Sequence, residues 1–260
     1  MADFVILRRS RNALSSFIHI ALNITLAISS IFITWTTGSP LIGLFLVFLS
    51  KWRMFAVRPR YWAINLKSSL VDIIVGCSFV LIAYCSGKVL LPIHVILMAL
   101  YSVWLIILKP RSNEVATNIQ SLSAIFLGTT ALTLMTASAN SIYMAIGSFI
   151  IGYAATRHIL IQGDDKDYNV IIIAGAIISA EIAWLCHSWL IVYSFTEMGI
   201  IIPQLSIILT IVAFIFGFTY KSITKNNGEL KWSEIGIPTI FTIITIAIII
   251  IFFSQPIFNV

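Results

Sequence analysis

Glu181 is the first residue of this apolar chain whose type and position could do chemistry. It lies about eleven residues into the apolar run 170–195, near the middle of a helix that would cross a membrane. Placing a carboxyl at that depth costs several kcal/mol unless it has a polar partner or lines a water-filled pathway, so it is a functional candidate by default. It could relay protons or bind a cation, and a hydrogen bond to a neighbouring helix is the simpler alternative.

Two further side chains share the predicted helix with Glu181. Trp184 lies on the Glu181 side, and His187 lies about a third of a turn round and two turns up. The three could line a slanting track, or they could be separately satisfied interface residues. Small residues at a spacing of four, such as Gly175 and Ser179, would let a neighbouring helix approach closely.

Asp72 is the second carboxyl of an apolar run, in the inner third of the predicted span 68–86. Lys67 lies about one turn away toward the cytoplasm, so a local ion pair is the simpler explanation of Asp72, and a functional role is the alternative. The residues predicted to line a substrate or ion pathway are Glu181, Trp184, His187 and Asp72.

The four histidines fall at two depths, with His19 and His158 toward the inside and His94 and His187 toward the outside. Imidazole is an axial haem ligand, so two such layers would suit two b-type haems. All four lie on different predicted helices, and no spacing supports the pairing. No H-E-x-x-H motif occurs either. No cofactor and no metal are therefore expected, and an enzyme is not the first expectation.

The composition shows which elements must position these residues. Hydrophobic residues make up 59% of the 260 positions and charged residues 10%, against roughly a quarter in soluble domains. The apolar residues come in runs of about twenty without the alternation of a barrel strand, so the spans are helices. The sequence predicts an all-α polytopic membrane helix bundle that forms a single domain, residues 1–260.

About nine transmembrane helices are predicted from these runs. Their approximate ranges are 13–35, 41–57, 68–86, 90–108, 115–137, 141–160, 170–195, 200–220 and 235–253. With a cytoplasmic N-terminus and an outside C-terminus, only Lys88 of the 16 Lys and Arg residues falls on the outer side. The net charge of +6 therefore reflects membrane topology, and no nucleic-acid partner is expected.

Span 41–57 is the weakest, because Lys51 interrupts it after nine apolar residues, and a re-entrant loop is the alternative. Four cations follow closely in this region: Lys51, Arg53, Arg58 and Arg60. They could bind anionic lipid headgroups, at about 1 kcal/mol per cation. Their role in setting the topology explains them equally well.

The stretch KWRMFAVRPRYW at residues 51–62, followed by Val71 and Asp72, resembles uncharacterised multipass membrane proteins of Saccharibacteria-type ultrasmall bacteria. The segment EIAW at residues 181–184 is similar to the same group. The resemblance implies the cytoplasmic (inner) membrane of a bacterium and brings no catalytic role with it.

Three functions fit these patterns. The first expectation is a secondary transporter or permease for a small solute or proton, with Glu181 as the coupling carboxyl in a polar cavity that reaches the membrane midplane. The alternative is a non-catalytic scaffold or accessory subunit, with Glu181 sealed by packing and a small-residue helix face exposed to a protein partner. The second alternative is a membrane enzyme or b-type cytochrome.

Overall fold

A computed structural model describes residues 2–87, 92–109, 113–160, 168–188, 191–195, 199–226 and 229–253. These residues form nine α-helices and one β-hairpin. The helices are α1 Ala2–Thr37, α2 Pro40–Leu49, α3 Trp62–Cys85, α4 Pro92–Val103, α5 Glu114–Thr136, α6 Ser141–Leu160, α7 Tyr168–His187, α8 Gln204–Lys225 and α9 Trp232–Phe252. The strands are β1 Val192–Phe195 and β2 Ile200–Pro203.

Six helices in the described part of the chain, α1, α3, α5, α7, α8 and α9, are long and apolar enough to cross a membrane. α6 has 20 residues and is not one of the six, while α2 and α4 are shorter apolar helices. α4 continues as a π-helical turn, Trp104–Leu108. The expected all-α fold with membrane-length apolar helices is therefore confirmed.

α2 is shorter than the predicted span 41–57. Its ten residues extend about 15 Å, half of a bilayer core of about 30 Å. After α2, the chain makes two 3-10 turns, Trp52–Met54 and Pro59–Tyr61. Pro59 has no N–H group to donate to a helix, and Lys51, Arg53 and Arg58 interrupt the apolar residues that precede it. Residues 50–61 are therefore a connection rather than the second half of a helix.

α7 also ends earlier than predicted, at His187 instead of residue 195. Val192–Phe195 pairs with Ile200–Pro203 as an antiparallel hairpin, with Gly199 at φ 65° in the turn. The β-branched and aromatic residues of both segments favour strands. Because α7 stops at His187, Glu181 lies six residues from the helix end, about 9 Å, and not at its middle.

α3 lies at the centre of the bundle and packs against α1, α2, α4, α5 and α6. The ring of Phe79 on α3 stacks on Tyr101 of α4 with centroids 5.0 Å apart. α5 connects this half to the other, where α7 packs on α6 and α9 packs on α8. The core is therefore built from both halves around α3 and α5.

Small residues bring α6 and α7 together. A Cβ atom built on Gly152 would lie 2.7 Å from the Ser179 Cβ and 3.2 Å from the Ala176 Cα. Gly175 meets Thr156 of α6 just as closely. The small-residue face of α7 is therefore buried within the chain. From the sequence, a scaffold was expected to expose such a face to a protein partner, and this face of α7 is not exposed.

Candidate functional site

A polar cluster surrounds Asp72, midway along α3. Lys51 Nζ donates to Asp72 Oδ2 at 2.5 Å, and Lys109 Nζ lies 3.4 Å from the same oxygen. Trp104 Nε1 donates to Asp72 Oδ1 at 3.2 Å. The carboxylate therefore joins the end of α2 and the end of the α4 segment to the middle of α3.

Burial differs between the two lysines. The Lys51 side chain is 9% exposed, whereas that of Lys109 is 34% exposed. A buried ammonium depends on its counter-ion, while a partly exposed one can turn to solvent. The local pair between Asp72 and Lys67 expected from the sequence is replaced by these two long-range pairs.

Gln120 and His158 extend the cluster toward α5 and α6. Gln120 Nε2 donates to the Leu108 carbonyl oxygen at 2.5 Å, so its Oε1 is an acceptor. His158 Nε2 lies 2.7 Å from that Oε1 and therefore donates to it. A cavity of about 120 Å³ lies between these groups and is lined also by Asp72 and Lys109.

Glu181 lies on the exposed face of α7, away from this cluster. Its surroundings on that face are apolar, with Ile177 44% exposed and Trp184 54% exposed. The opposite face of α7 is buried against the bundle, with Ala176 and Ala183 fully covered. No hydrogen bond or ion pair reaches the Glu181 carboxyl from the described residues.

Comparisons with protein-family models, with curated proteins and with solved structures found no match.

The predicted pathway residues do not form one track. Glu181 and Trp184 share the exposed stripe of α7, but His187 is half-buried, with its Nε2 3.2 Å from the Ala139 carbonyl oxygen. Asp72 belongs to the separate cluster on α3. The structure thus brings together two of the four residues on one surface.

The histidines have separate partners. His94 is fully buried, and its Nε2 lies 3.2 Å from the Ala83 carbonyl oxygen. His19 Nδ1 lies 3.0 Å from the Asn23 amide nitrogen on the exposed side of α1. Among the described residues, no group of three or more His, Cys, Asp or Glu could hold a metal ion.

The cations predicted to bind lipid headgroups are placed differently from one another. Lys51 is buried in its ion pair with Asp72, and headgroup binding by this residue stays a prediction. Arg58 is exposed, and the Arg60 guanidinium lies 4.6 Å from the Tyr61 ring centroid. For both arginines headgroup binding stays a prediction, and the side chain of Arg53 lies outside the described residues.

Sequence reasoning missed Trp104, Lys109 and Gln120 as neighbours of Asp72. Their positions are 32, 37 and 48 residues farther along the chain, so no local spacing connects them. The available signal was that each lies near the same predicted membrane boundary. Depth alone does not select which helices are neighbours.

Proposed function

We propose that this chain is a non-catalytic membrane scaffold that pairs with a second copy of itself through the exposed face of α7. One observation carries the proposal, namely the Glu181 carboxyl on an otherwise apolar exposed face of a membrane-length helix. A carboxyl is costly in lipid until another group satisfies it. Polar side chains that hydrogen-bond across helices are a recognised means of joining transmembrane helices.

The choice of a second copy rests on Trp184. Its indole N–H is a donor, and it lies three residues after Glu181, about 4.5 Å along the helix axis. In a two-fold pair, residue i of one copy meets residue j of the other, and the reverse contact forms as well. Each Glu181 would then accept a hydrogen bond from the Trp184 of the other copy. The exposed stripe is self-complementary in this sense.

In this proposal the scaffold crosses a bacterial cytoplasmic membrane nine times, with its N-terminus inside, and α2, which extends only about 15 Å, crosses where the bilayer is locally thinned. The basic residues support this orientation, since only Lys88 falls on the outer side. α6 supports the number of crossings because its 20 residues extend about 30 Å. Lys51 and Lys109 also meet at Asp72, so α2 and the α4 segment end at a similar level.

The substitution Glu181→Ala tests the scaffold proposal, because it should weaken the association of the two copies. Two interhelical hydrogen bonds at about 0.6 to 1 kcal/mol each predict an approximately tenfold weaker association. Single-molecule photobleaching of labelled protein diluted into liposomes measures the dimer fraction. Trp184→Phe keeps an aromatic ring, although a smaller one, removes the N–H donor and should have the same effect.

The control for this test is Ile244→Ala, an exposed substitution on α9 that should leave association unchanged. A wild-type protein that is monomeric at every density, or a Glu181→Ala variant that pairs like wild type, contradicts the proposal.

Transport is a second candidate function, favoured by the 120 Å³ cavity beside Asp72. Ser69 lines this cavity and is half-buried. In a chain whose native cysteines are replaced, a transport route predicts that Ser69→Cys reacts with membrane-impermeant thiol reagents from both sides. Reaction from one side only indicates a closed pocket and argues against transport.

A further inference from the structure

A groove runs between α5, α6 and α8, from the end of the bundle that carries Lys221 toward its middle. The part at the mouth encloses about 320 Å³ and is lined by charged and polar residues that include Glu114, Lys221 and Lys225. The deeper part encloses about 260 Å³ and is mostly apolar, with Leu122 and Phe214 among its lining residues. Both parts share Asn118, Ile159, Gly217 and Lys221, so the groove is continuous.

The length of the groove matches one leaflet of a membrane. From Lys225 to Ala213, α8 covers twelve residues, or about 18 Å. One leaflet contributes about 15 Å of hydrocarbon, and the headgroup adds to this. A groove that is charged at one end and apolar along the rest has the shape of an amphiphile that stands upright in the leaflet.

The charges at the mouth indicate which headgroup fits. Lys221 Nζ lies 2.9 Å from Glu114 Oε2, and Lys225 Nζ lies 3.4 Å from Glu234 Oε1. The Lys221, Lys225 and Glu114 side chains are all more than half exposed, so these surface ion pairs are weak and can exchange partners. Two ammonium groups suit a phosphate, and a carboxylate suits an ammonium. Because the four charges sum to zero, the mouth fits a zwitterion better than an anion.

Asn118 lies where the polar and apolar parts of the groove meet, and its side chain is half-buried. Its amide can donate hydrogen bonds. In an upright lipid, the ester carbonyls occupy this depth, between headgroup and chains. From its mouth inward, the groove therefore presents charged side chains, then the Asn118 amide, and then apolar side chains.

We propose that the groove binds one diacyl phospholipid whose headgroup carries a phosphate and a primary ammonium. Lys221 and Lys225 bind the phosphate, Glu114 accepts from the ammonium, and one acyl chain lies along Leu122 and Phe214. The groove does not involve α7, so this site is independent of the proposed pairing.

Gly217 offers a way to block the site without disturbing the fold. A Cβ atom at this position would meet only the Ile159 Cδ1, at 3.9 Å, so a larger side chain projects into the groove. Gly217→Leu should fill the deeper part. The control is Ala99→Leu on the exposed face of α4, which adds the same bulk away from the groove.

Native mass spectrometry of the detergent-purified full chain tests the proposal, with dioleoyl phosphatidylethanolamine, phosphatidylcholine and phosphatidylglycerol as separate probes. We expect one phosphatidylethanolamine per chain, at least tenfold weaker binding in Gly217→Leu, and wild-type binding in Ala99→Leu. Glu114→Gln should reduce phosphatidylethanolamine binding to the level of phosphatidylcholine, which has no ammonium N–H. Lys225→Gln should weaken both lipids.

Two results would overturn the proposal. One is wild-type phosphatidylethanolamine binding in Gly217→Leu, with thermal melting that shows a folded protein. The other is phosphatidylglycerol binding as tight as that of phosphatidylethanolamine, because an anionic lipid would then be the occupant.

Discussion

Asp72→Asn is expected to lower the free energy of unfolding by about 3–5 kcal/mol, the range found when one partner of a buried ion pair is removed. Asn has nearly the same size as Asp, so packing is preserved and the lost charge is the main change. The Lys51 ammonium, 9% exposed, would then lack its counter-ion. Lys109 is 34% exposed and can turn outward, so it contributes less to the loss.

Equilibrium unfolding in mixed detergent micelles measures this effect. The double variant Asp72→Asn/Lys51→Met removes both charges, keeps an acceptor for the Trp104 indole N–H and should recover most of the loss, since no uncompensated ammonium is left buried. Lys109→Met alone should cost less than about 1 kcal/mol. An Asp72→Asn variant as stable as wild type would show that Lys51 is hydrated and that the cluster does not hold α2 against α3.

Gly152→Leu has the second largest expected effect, a loss of about 3 kcal/mol at the upper end of the usual range for overpacking. The added side chain would meet α7 at the Ala176 Cα, 3.2 Å from the new Cβ, and backbone cannot move aside as a side chain does. α6 and α7 would have to separate along their small-residue contact. The same unfolding assay measures the loss.

Gly217→Leu is the matched control, because the same substitution on α8 projects into the groove, where the new Cβ meets only the Ile159 Cδ1, at 3.9 Å. We expect a change within about 0.5 kcal/mol of wild type. The smaller change Gly152→Ala should also destabilise the protein. Adding Ser179→Gly to it restores space opposite position 152 and should recover the lost stability. If Gly152→Leu loses as little stability as Gly217→Leu, α6 and α7 are not in close contact at Gly152.

The helices themselves could be predicted, since runs of about twenty apolar residues have few alternatives in lipid. Their ends could not be predicted in two places. The segment after Leu49 is still partly apolar, and the apolar residues that lead into the hairpin strand Val192–Phe195 follow α7 after only His187 and Ser188. Hydropathy measures solvent preference and does not distinguish a helix from a short strand of the same composition.

The position of Glu181 on the outward face was implicit in the sequence. Successive helical residues are about 100° apart, so Glu181 lies about 200° from Ser179, opposite the small-residue face. Once Gly175 and Ser179 pack against α6, Glu181 must point away from it. The partners of Asp72 carried no such signal, because Lys51 and Lys109 come from different helices whose adjacency depends on the whole packing.

Disulfide cross-linking at Ile177 tests the pairing of α7 most directly. Ile177 lies one turn before Glu181 on the same exposed stripe, so substitution leaves Glu181 and Trp184 in place. The measurement uses native membranes and a chain with Cys77, Cys85 and Cys186 replaced, and Ile244→Cys on α9 is the control at a similarly exposed position. The scaffold predicts a cross-linked dimer for Ile177→Cys and monomer for the control. Monomer for both, or equal dimer for both, would contradict a specific contact through α7.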